Sequence, residues 1–95
     1  MKSERKLEGN ELTVVLHGPI DSTVVAAFDE AIGDLSDIHS LVLDMADVDY
    51  ISSAGLRVLM TKKLALGDRP FKLVNLTADV RDILDITGSS KILGL

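Results

Sequence analysis

The alternation of apolar and polar residues predicts a β-hairpin at the start of the chain. Two short runs, residues 6–8 and 11–17, flank Gly9-Asn10. Glycine and asparagine adopt the positive φ of a two-residue turn at little cost, so the two runs are expected to pair as antiparallel strands. Gly18-Pro19 ends the second strand because proline has no amide to donate to a ladder.

An amphipathic helix is predicted after the hairpin. Asp21-Ser22-Thr23 offers side chains that can cap a helix N-terminus. Asp29, Glu30 and Asp34 fall on the polar face, and the opposite face is apolar over about three turns. The apolar residues recur at three- and four-residue spacing: Val24, Ala27, Phe28, Ala31, Ile32 and Leu35.

The second half of the chain continues the alternation of strand and helix. Leu41-Val42-Leu43 is a continuous apolar run, typical of a central strand that is covered on both faces. A second helix is predicted from Ser53 to about Leu66, with Gly67 ending it. Its apolar line consists of Leu56, Leu59, Met60 and Leu64, flanked by Val58.

Another strand and another helix complete the predicted order. Residues 71–76 form the strand, and Thr77 caps a helix that runs through Ile86. Ile92 and Leu93 are expected to fold the C-terminus back onto the core. The order β-β-α-β-α-β-α predicts an α/β fold with a mixed, mostly parallel sheet of four to five strands, the N-terminal hairpin at one edge and helices packed against the sheet.

Length and composition narrow the class of protein. A chain of 95 residues predicts one domain, residues 1–95, and 46% hydrophobic residues with only 3% aromatics predict an aliphatic core. The absence of cysteine excludes a disulfide scaffold and thiolate metal sites. The net charge of −5 argues against binding to nucleic acid or directly to an anionic membrane.

The sequence also predicts where the protein works. The first six residues are mostly charged and no apolar stretch follows them, so no secretory signal is expected. No run approaches the ~20 apolar residues that cross a bilayer. A cytoplasmic location is therefore expected.

Two adjacent serines mark the strongest candidate site. Ser52 and Ser53 stand where the second helix is predicted to begin, followed by Ala54 and Gly55. One of them can act as the N-cap by accepting a hydrogen bond from an amide two or three residues on. One can also be a phosphoacceptor, because a phosphate of about −1.5 to −2 charges would meet the free amides of the first helical turn. The two interpretations are compatible, since a capping hydroxyl is exposed enough to be modified.

Gly55 has two interpretations from the sequence. Glycine in a first helical turn costs up to ~1 kcal/mol relative to alanine, so some close approach must favour it. That approach is either the packing of the helix on the adjacent strand or the docking of a partner's backbone or a kinase's nucleotide. The sequence leaves the choice open.

The other polar residues give little support for catalysis. Asp44, Asp47 and Asp49 are placed in the loop after the central strand, where three carboxylates resemble a magnesium site but better fit a solvated acidic loop. No glycine-rich phosphate-binding motif accompanies them. His17 and His39 form no ligand or triad spacing and are interpreted as incidental. We therefore expect no enzymatic activity, no metal and no cofactor. The rival interpretation is a small enzyme or nucleotide-binding protein that uses the acidic loop.

The chain resembles the STAS domain family, in the short stand-alone form of the bacterial anti-sigma factor antagonists. The most specific segment is Val48-Asp49-Tyr50-Ile51-Ser52-Ser53-Ala54-Gly55-Leu56-Arg57-Val58-Leu59. Further matching segments are residues 18–21, 41–45, 71–76 and 84–88, so the resemblance covers nearly the whole chain. Ser52 occupies a position where many relatives carry aspartate.

The resemblance implies a partner-switching role. The partner would be an anti-sigma factor that is also a serine kinase with a histidine-kinase-like ATPase fold. That kinase would phosphorylate Ser53 and would then no longer bind the domain. A PP2C-type phosphatase would remove the phosphate. The implied partner-binding surface consists of Asp21, Ser22, Ser52, Ser53, Ala54, Gly55 and Arg57. An alternative within the family is a non-switching scaffold subunit of a membrane or lipid-transport complex.

Overall fold

The computed structural model describes residues 1–95 and confirms the predicted α/β class. The strands are β1 (Lys2–Glu8), β2 (Glu11–His17), β3 (Ser40–Asp47) and β4 (Phe71–Val74). The helices are α1 (Val25–Ile32), α2 (Ser53–Leu66), α3 (Ala78–Ile86) and α4 (Ser89–Ile92). None of the helices combines the length and hydrophobicity required to cross a membrane.

One four-stranded sheet forms the centre of the molecule, in the order β1-β2-β3-β4. β1 and β2 make the predicted hairpin, with Glu8 opposite Glu11 and only Gly9 of the turn at positive φ. β3 pairs in parallel with both β2 and β4, so it is the interior strand that its apolar run predicts. The sheet is therefore mixed, with one antiparallel pair at its edge.

The core lies against one face of this sheet. Alternate residues are fully buried along the two central strands, and those between them are partly exposed. The expectation that β3 is covered on both faces is wrong, because Val42 and Asp44 on its second face remain half-exposed. The buried residues of the two strands are Leu12, Val14, Leu16, Leu41, Leu43 and Met45.

α1 is shorter than predicted and begins later. The Asp21 carboxylate accepts hydrogen bonds from the amide and the hydroxyl of Thr23, so it closes a local turn rather than capping a helix. The helix starts at Val25 after an N-cap residue, Val24, that makes no side-chain cap. Leu35 is buried as expected, but it lies beyond the end of the helix at Ile32.

Cationic side chains cover the C-terminal end of α1. Lys62 donates to the carbonyl of Gly33 at 2.8 Å and pairs with the Asp29 carboxylate at 2.8 Å. Arg5 donates to the carbonyl of Ile32 at 3.3 Å. These charges lie at the negative end of the helix dipole and satisfy carbonyls that have no partner within the helix.

α2 has the predicted bounds, but its apolar line differs. Gly67 follows it at φ 61° and donates to the carbonyls of Lys63 and Leu64. Leu64, expected to face the core, is 82% exposed, so that prediction is wrong. Leu66 is buried in its place, with Leu56 and Leu59 as predicted.

The arginine after α2 fastens the helix to the loop that leads into β3. The guanidinium of Arg69 donates to the carbonyls of Leu35 at 2.9 Å and Ile38 at 2.6 Å. It also donates to Ala65 at 2.7 Å and Leu66 at 2.9 Å, within the last turn of α2. One side chain thus satisfies carbonyls from two segments.

The C-terminal region is only partly as predicted. Thr77 caps α3 by accepting from the amide of Val80 at 3.3 Å, as expected. β4 stops at Val74, before the predicted end, because Asn75 takes a positive φ of 57°. A short helix, α4, was not predicted, and it buries Leu93 but leaves Ile92 62% exposed.

Candidate functional site

The predicted site residues come together at the carboxyl ends of β2 and β3. Beyond β2 the chain runs beside the segment that leads into α2, joined by an isolated parallel bridge between Ile20 and Ile51. The amide of Ile20 donates to the carbonyl of Tyr50 at 2.9 Å, and the amide of Ser52 donates to the carbonyl of Ile20 at 2.8 Å. Asp21 therefore directly follows the residue to which Ser52 is bonded, which places the loop before α1 beside the start of α2.

The two serines occupy different positions at the start of α2. Ser52 is the N-cap, with extended φ and ψ, and its hydroxyl accepts from the amide of Gly55 at 3.2 Å. Ser53 is the first residue of the helix, is exposed, and its hydroxyl makes no hydrogen bond within the protein. The capping role therefore falls on Ser52 and leaves the hydroxyl of Ser53 free.

The first amides of α2 form an electropositive surface around Ser53. The first backbone bond of the helix runs from the amide of Leu56 to the carbonyl of Ser52, at 2.9 Å. The amides of Ser53 and Ala54 precede it and donate to no group of the protein. Free amides at the positive end of the helix dipole favour negative charge nearby.

Gly55 is buried, and it allows α2 to approach the bridge closely. A Cβ on Gly55 would lie 2.8 Å from Cγ1 of Ile51 and 2.9 Å from Cγ2 of Ile20, closer than van der Waals contact allows. Of the two interpretations of this glycine, packing is the one that the distances support. Because it is buried, Gly55 can shape a partner surface only through the position of its neighbours.

Acidic and exposed side chains surround the two serines. Thr23, through its hydroxyl and then its amide, holds the pKa of the Asp21 carboxyl below its usual range, so Asp21 stays ionised. Ser22, Asp49 and Arg57 are exposed and Tyr50 is 46% exposed. Together with Ser53 and the half-buried Ala54, these residues form a mixed polar surface at the end of the sheet.

The carboxylates expected to share one loop do not. Asp44 and Asp47 belong to β3, and only Asp49 lies in the loop after it. Asp44 accepts from the amide of Ala46 and the side-chain amide of Asn75, whereas Asp47 bonds to a histidine. A shallow cavity of about 210 Å³ adjoins Asp47 and Asp49, but no group of three acidic or histidine side chains is arranged to hold a metal ion.

His17 is part of an ionic cluster that the sequence did not reveal. Its Nδ1 lies 2.8 Å from Asp47 Oδ2 and its Nε2 lies 3.0 Å from Glu4 Oε2. The hydrogen bonds that the ring can donate to Glu4 and then to Asp47 raise the pKa of His17 above its ordinary value, because both favour the imidazolium. The two carboxylates are 13 and 30 residues away in sequence, so no local pattern could have indicated them. His39 is exposed and makes no such contact.

Comparisons with known proteins give one matching family model and several similar structures. The STAS domain model matches residues 3–95. An anti-sigma factor antagonist from Mycobacterium paratuberculosis has a similar structure, with a TM-score of 0.84 and 25% identity over 97% of this chain and 81% of that chain.

Two structures of another antagonist share the fold. SpoIIAA in its unphosphorylated form matches with a TM-score of 0.76 and 15% identity, over 95% of this chain and 84% of that one. The Bacillus SpoIIAA in its phosphorylated form matches with a TM-score of 0.73 and 12% identity, over 95% and 86%. No curated protein sequence is a significant match to this chain.

Proposed function

The chain belongs to the STAS domain family, and from this membership we propose that it is an anti-sigma factor antagonist of a bacterial partner-switching pathway. The unmodified domain binds a serine-kinase anti-sigma factor of histidine-kinase-like ATPase fold. Phosphorylation of Ser53 releases that partner, and a PP2C-type phosphatase restores binding. The likeness to the antagonist from Mycobacterium paratuberculosis, at 25% identity over nearly the whole chain, supports this role over that of a non-switching membrane scaffold.

The observation that carries the proposal is that the two serines differ in hydrogen bonding and exposure. Ser52 makes the hydrogen bond that caps α2, and Ser53 is exposed with a free hydroxyl. A phosphate on Ser53 therefore breaks no bond of the folded domain. It also meets the unbonded amides of the first turn, which stabilise its charge. The modification changes the surface and leaves the fold intact.

Release follows from the charge that the phosphate brings to the contact. A phosphoserine carries about −1.5 to −2 charges near neutral pH. Burying this charge against a partner without a matching cation costs several kcal/mol. A loss of ~3 kcal/mol lowers affinity more than a hundredfold. No conformational change in the domain is required.

In this proposal the chemistry belongs to the partners. The domain presents Ser53 as the acceptor hydroxyl, and Asp21, Ser22, Ser52, Ala54 and Arg57 surround it, with Gly55 beneath. ATP and magnesium are bound by the kinase, and the domain contributes no catalytic group or cofactor. We place the exchange in the cytoplasm.

The test is phosphorylation of the purified domain by a serine-kinase anti-sigma factor of the same organism. We expect mass spectrometry to locate one phosphate, on Ser53, after incubation with ATP and magnesium. Calorimetry should show that Ser53→Ala binds the kinase and resists modification, and that Ser53→Asp binds more than about a hundredfold more weakly. Ser52→Ala is the matched control, and it should still be modified at residue 53. Phosphate found only on Ser52, or a complex unaffected by phosphorylation, would refute the proposal.

A further inference from the structure

Arg57 lies on the same exposed face of α2 as Ser53. The two residues are separated by four positions, about one helical turn, and both are exposed. Side chains on a helix lean toward its N-terminus, so the side chain of Arg57 can reach over the turn that begins with Ser53. The geometry is that of the side-chain pairs that interact along a helix surface.

Arg57 is also the cation of α2 that the folded domain leaves unused. Lys62 is paired with Asp29 and bonded to Gly33, and Lys63 lies 5.8 Å from the centre of the Phe71 ring. The ion pairs of the protein involve Lys6, His17 and Lys62, and the guanidinium of Arg57 makes neither an ion pair nor a hydrogen bond. Its charge is therefore available to an anion that arrives nearby.

Resting on the proposed modification of Ser53, we propose that Arg57 is the intramolecular counter-ion of the phosphorylated serine. The planar guanidinium presents two parallel N–H groups, which match two phosphate oxygens. Asp21 and Asp49 at the same surface are acidic and oppose the phosphate, so Arg57 supplies the neighbouring positive charge that offsets them.

This pairing gives the modification a second effect on the partner surface. In the unmodified domain the guanidinium points freely into solvent and can meet a carboxylate of the partner. After phosphorylation it is held against the phosphate of its own chain. A single modification then adds an anion to the surface and withdraws a cation from it.

The test is a titration of the phosphate itself. Phosphoserine is incorporated at position 53 during synthesis, and its second ionisation, ordinarily near pH 6, is followed by ³¹P NMR. We expect the second pKa of the phosphate to be higher in Arg57→Gln than in the phosphorylated domain that keeps Arg57. The expected difference is roughly 0.2 to 0.6 of a pH unit, the size expected for an exposed ion pair. Arg57→Lys should fall between the two, because an ammonium keeps the charge but not the paired geometry.

Lys63→Gln is the matched control, since it removes the same charge from the same helix ten residues beyond Ser53. It should leave the phosphate titration unchanged. Equal titration of the unaltered domain and Arg57→Gln, or an equal shift from Lys63→Gln, would overturn the pairing. Because the phosphoserine is built in without a kinase, this result is separate from whether a kinase modifies Ser53 and from whether the partner is released.

Discussion

The two serines at the start of α2 differ in what their hydroxyl groups do in the folded domain. Ser52 and Ser53 are chemically identical neighbours, yet one is bonded to Gly55 and the other is free. The spacing left open which serine caps the helix, and only the resemblance to relatives pointed to Ser53 as the phosphoacceptor. The assignment depends on the backbone conformation of Ser52, which the Ile20–Ile51 bridge holds in place.

Replacing each serine in turn should expose this difference. We expect Ser52→Ala to lower the free energy of unfolding by about 1 kcal/mol, because it removes the side-chain cap. Ser53→Ala, at an exposed position without a hydrogen bond, should change it by less than ~0.5 kcal/mol. Urea denaturation of both variants measures the two values. Similar losses from both would show that Ser53 shares the capping role.

Gly55 gives a second prediction at this scale. An added Cβ would approach Ile51 and Ile20 to within 2.9 Å, and these contacts are to branched side chains packed in the core. Overpacking of this kind costs about 1–3 kcal/mol, against a gain in helix propensity of up to ~1 kcal/mol.

We therefore expect Gly55→Ala to destabilise the domain by about 1–2 kcal/mol, seen as a lower denaturation midpoint. Ser53→Ala, an exposed replacement in the same turn, is its control. A Gly55→Ala variant as stable as the natural domain would show that the glycine is not required for packing.

Among the secondary-structure elements, every strand and every long helix was predicted, and the errors lie at their ends. β1 begins at Lys2, whereas only residues 6–8 were predicted, because its exposed, mostly polar residues give no apolar pattern. α1 begins only at Val25, because Asp21 bonds to Thr23 instead of capping a helix, and it ends at Ile32, before the predicted Leu35. Leu64 continues the apolar spacing of α2 but lies where no other element covers it, whereas Leu66 is buried. The spacing of apolar residues shows which of them share a face of a helix. How much of that face is buried depends on the neighbouring elements that pack against it.

Arg69 joins the end of α2 to a segment that is distant in sequence. Its guanidinium bonds to four carbonyls, two in the last turn of α2 and two in the loop before β3. Hydrogen bonds to a charged group contribute about 1.5–3 kcal/mol each, and they are not additive.

We expect Arg69→Gln to destabilise the domain by about 2–4 kcal/mol. Arg69→Lys should recover little of this, since a lysine cannot reach carbonyls on two segments at once. Urea denaturation measures both, with Arg81→Gln, an exposed arginine outside this contact, as the control. A loss from Arg69→Gln no larger than that from Arg81→Gln would contradict this role.

At the scale of the whole molecule, the sequence predicted the class and the sheet, but not the charged contacts that cross it. The Gly9-Asn10 turn predicted the hairpin, and the apolar run of residues 41–43 predicted the central position of β3. The Glu4–His17–Asp47 cluster joins three strands through residues far apart in sequence, and it follows only from the final register.

This cluster makes stability depend on pH. The folded domain raises the pKa of His17 through Glu4 and then Asp47, so it binds the proton more tightly than the unfolded chain does. The stabilisation is fully present below the unfolded value of about 6.5 and is lost as pH rises through the higher folded value. We expect the free energy of unfolding, measured with urea, to be lower at pH 8.5 than at pH 6.

Replacement of His17 separates this effect from other titrations. His17→Gln should flatten the change between pH 6 and pH 8.5, and His39→Gln, at an exposed position, should not. The carboxyl groups of Glu8, Asp21 and Asp34, whose pKa values are lowered, act in the opposite sense and at lower pH. Their stabilisation is lost only as pH falls through their folded values. An unchanged slope in His17→Gln would count against the cluster.

The bridge between Ile20 and Ile51 has a consequence for how relatives of this domain can diverge. Both residues are buried, and each is held opposite the other by amide–carbonyl bonds. Inserting or deleting one residue in either segment would turn a neighbour inward, Pro19 or Asp21 in one case and Tyr50 or Ser52 in the other. We therefore expect relatives to keep the lengths of both connections. They should differ in the exposed side chains around the start of α2 rather than by insertions.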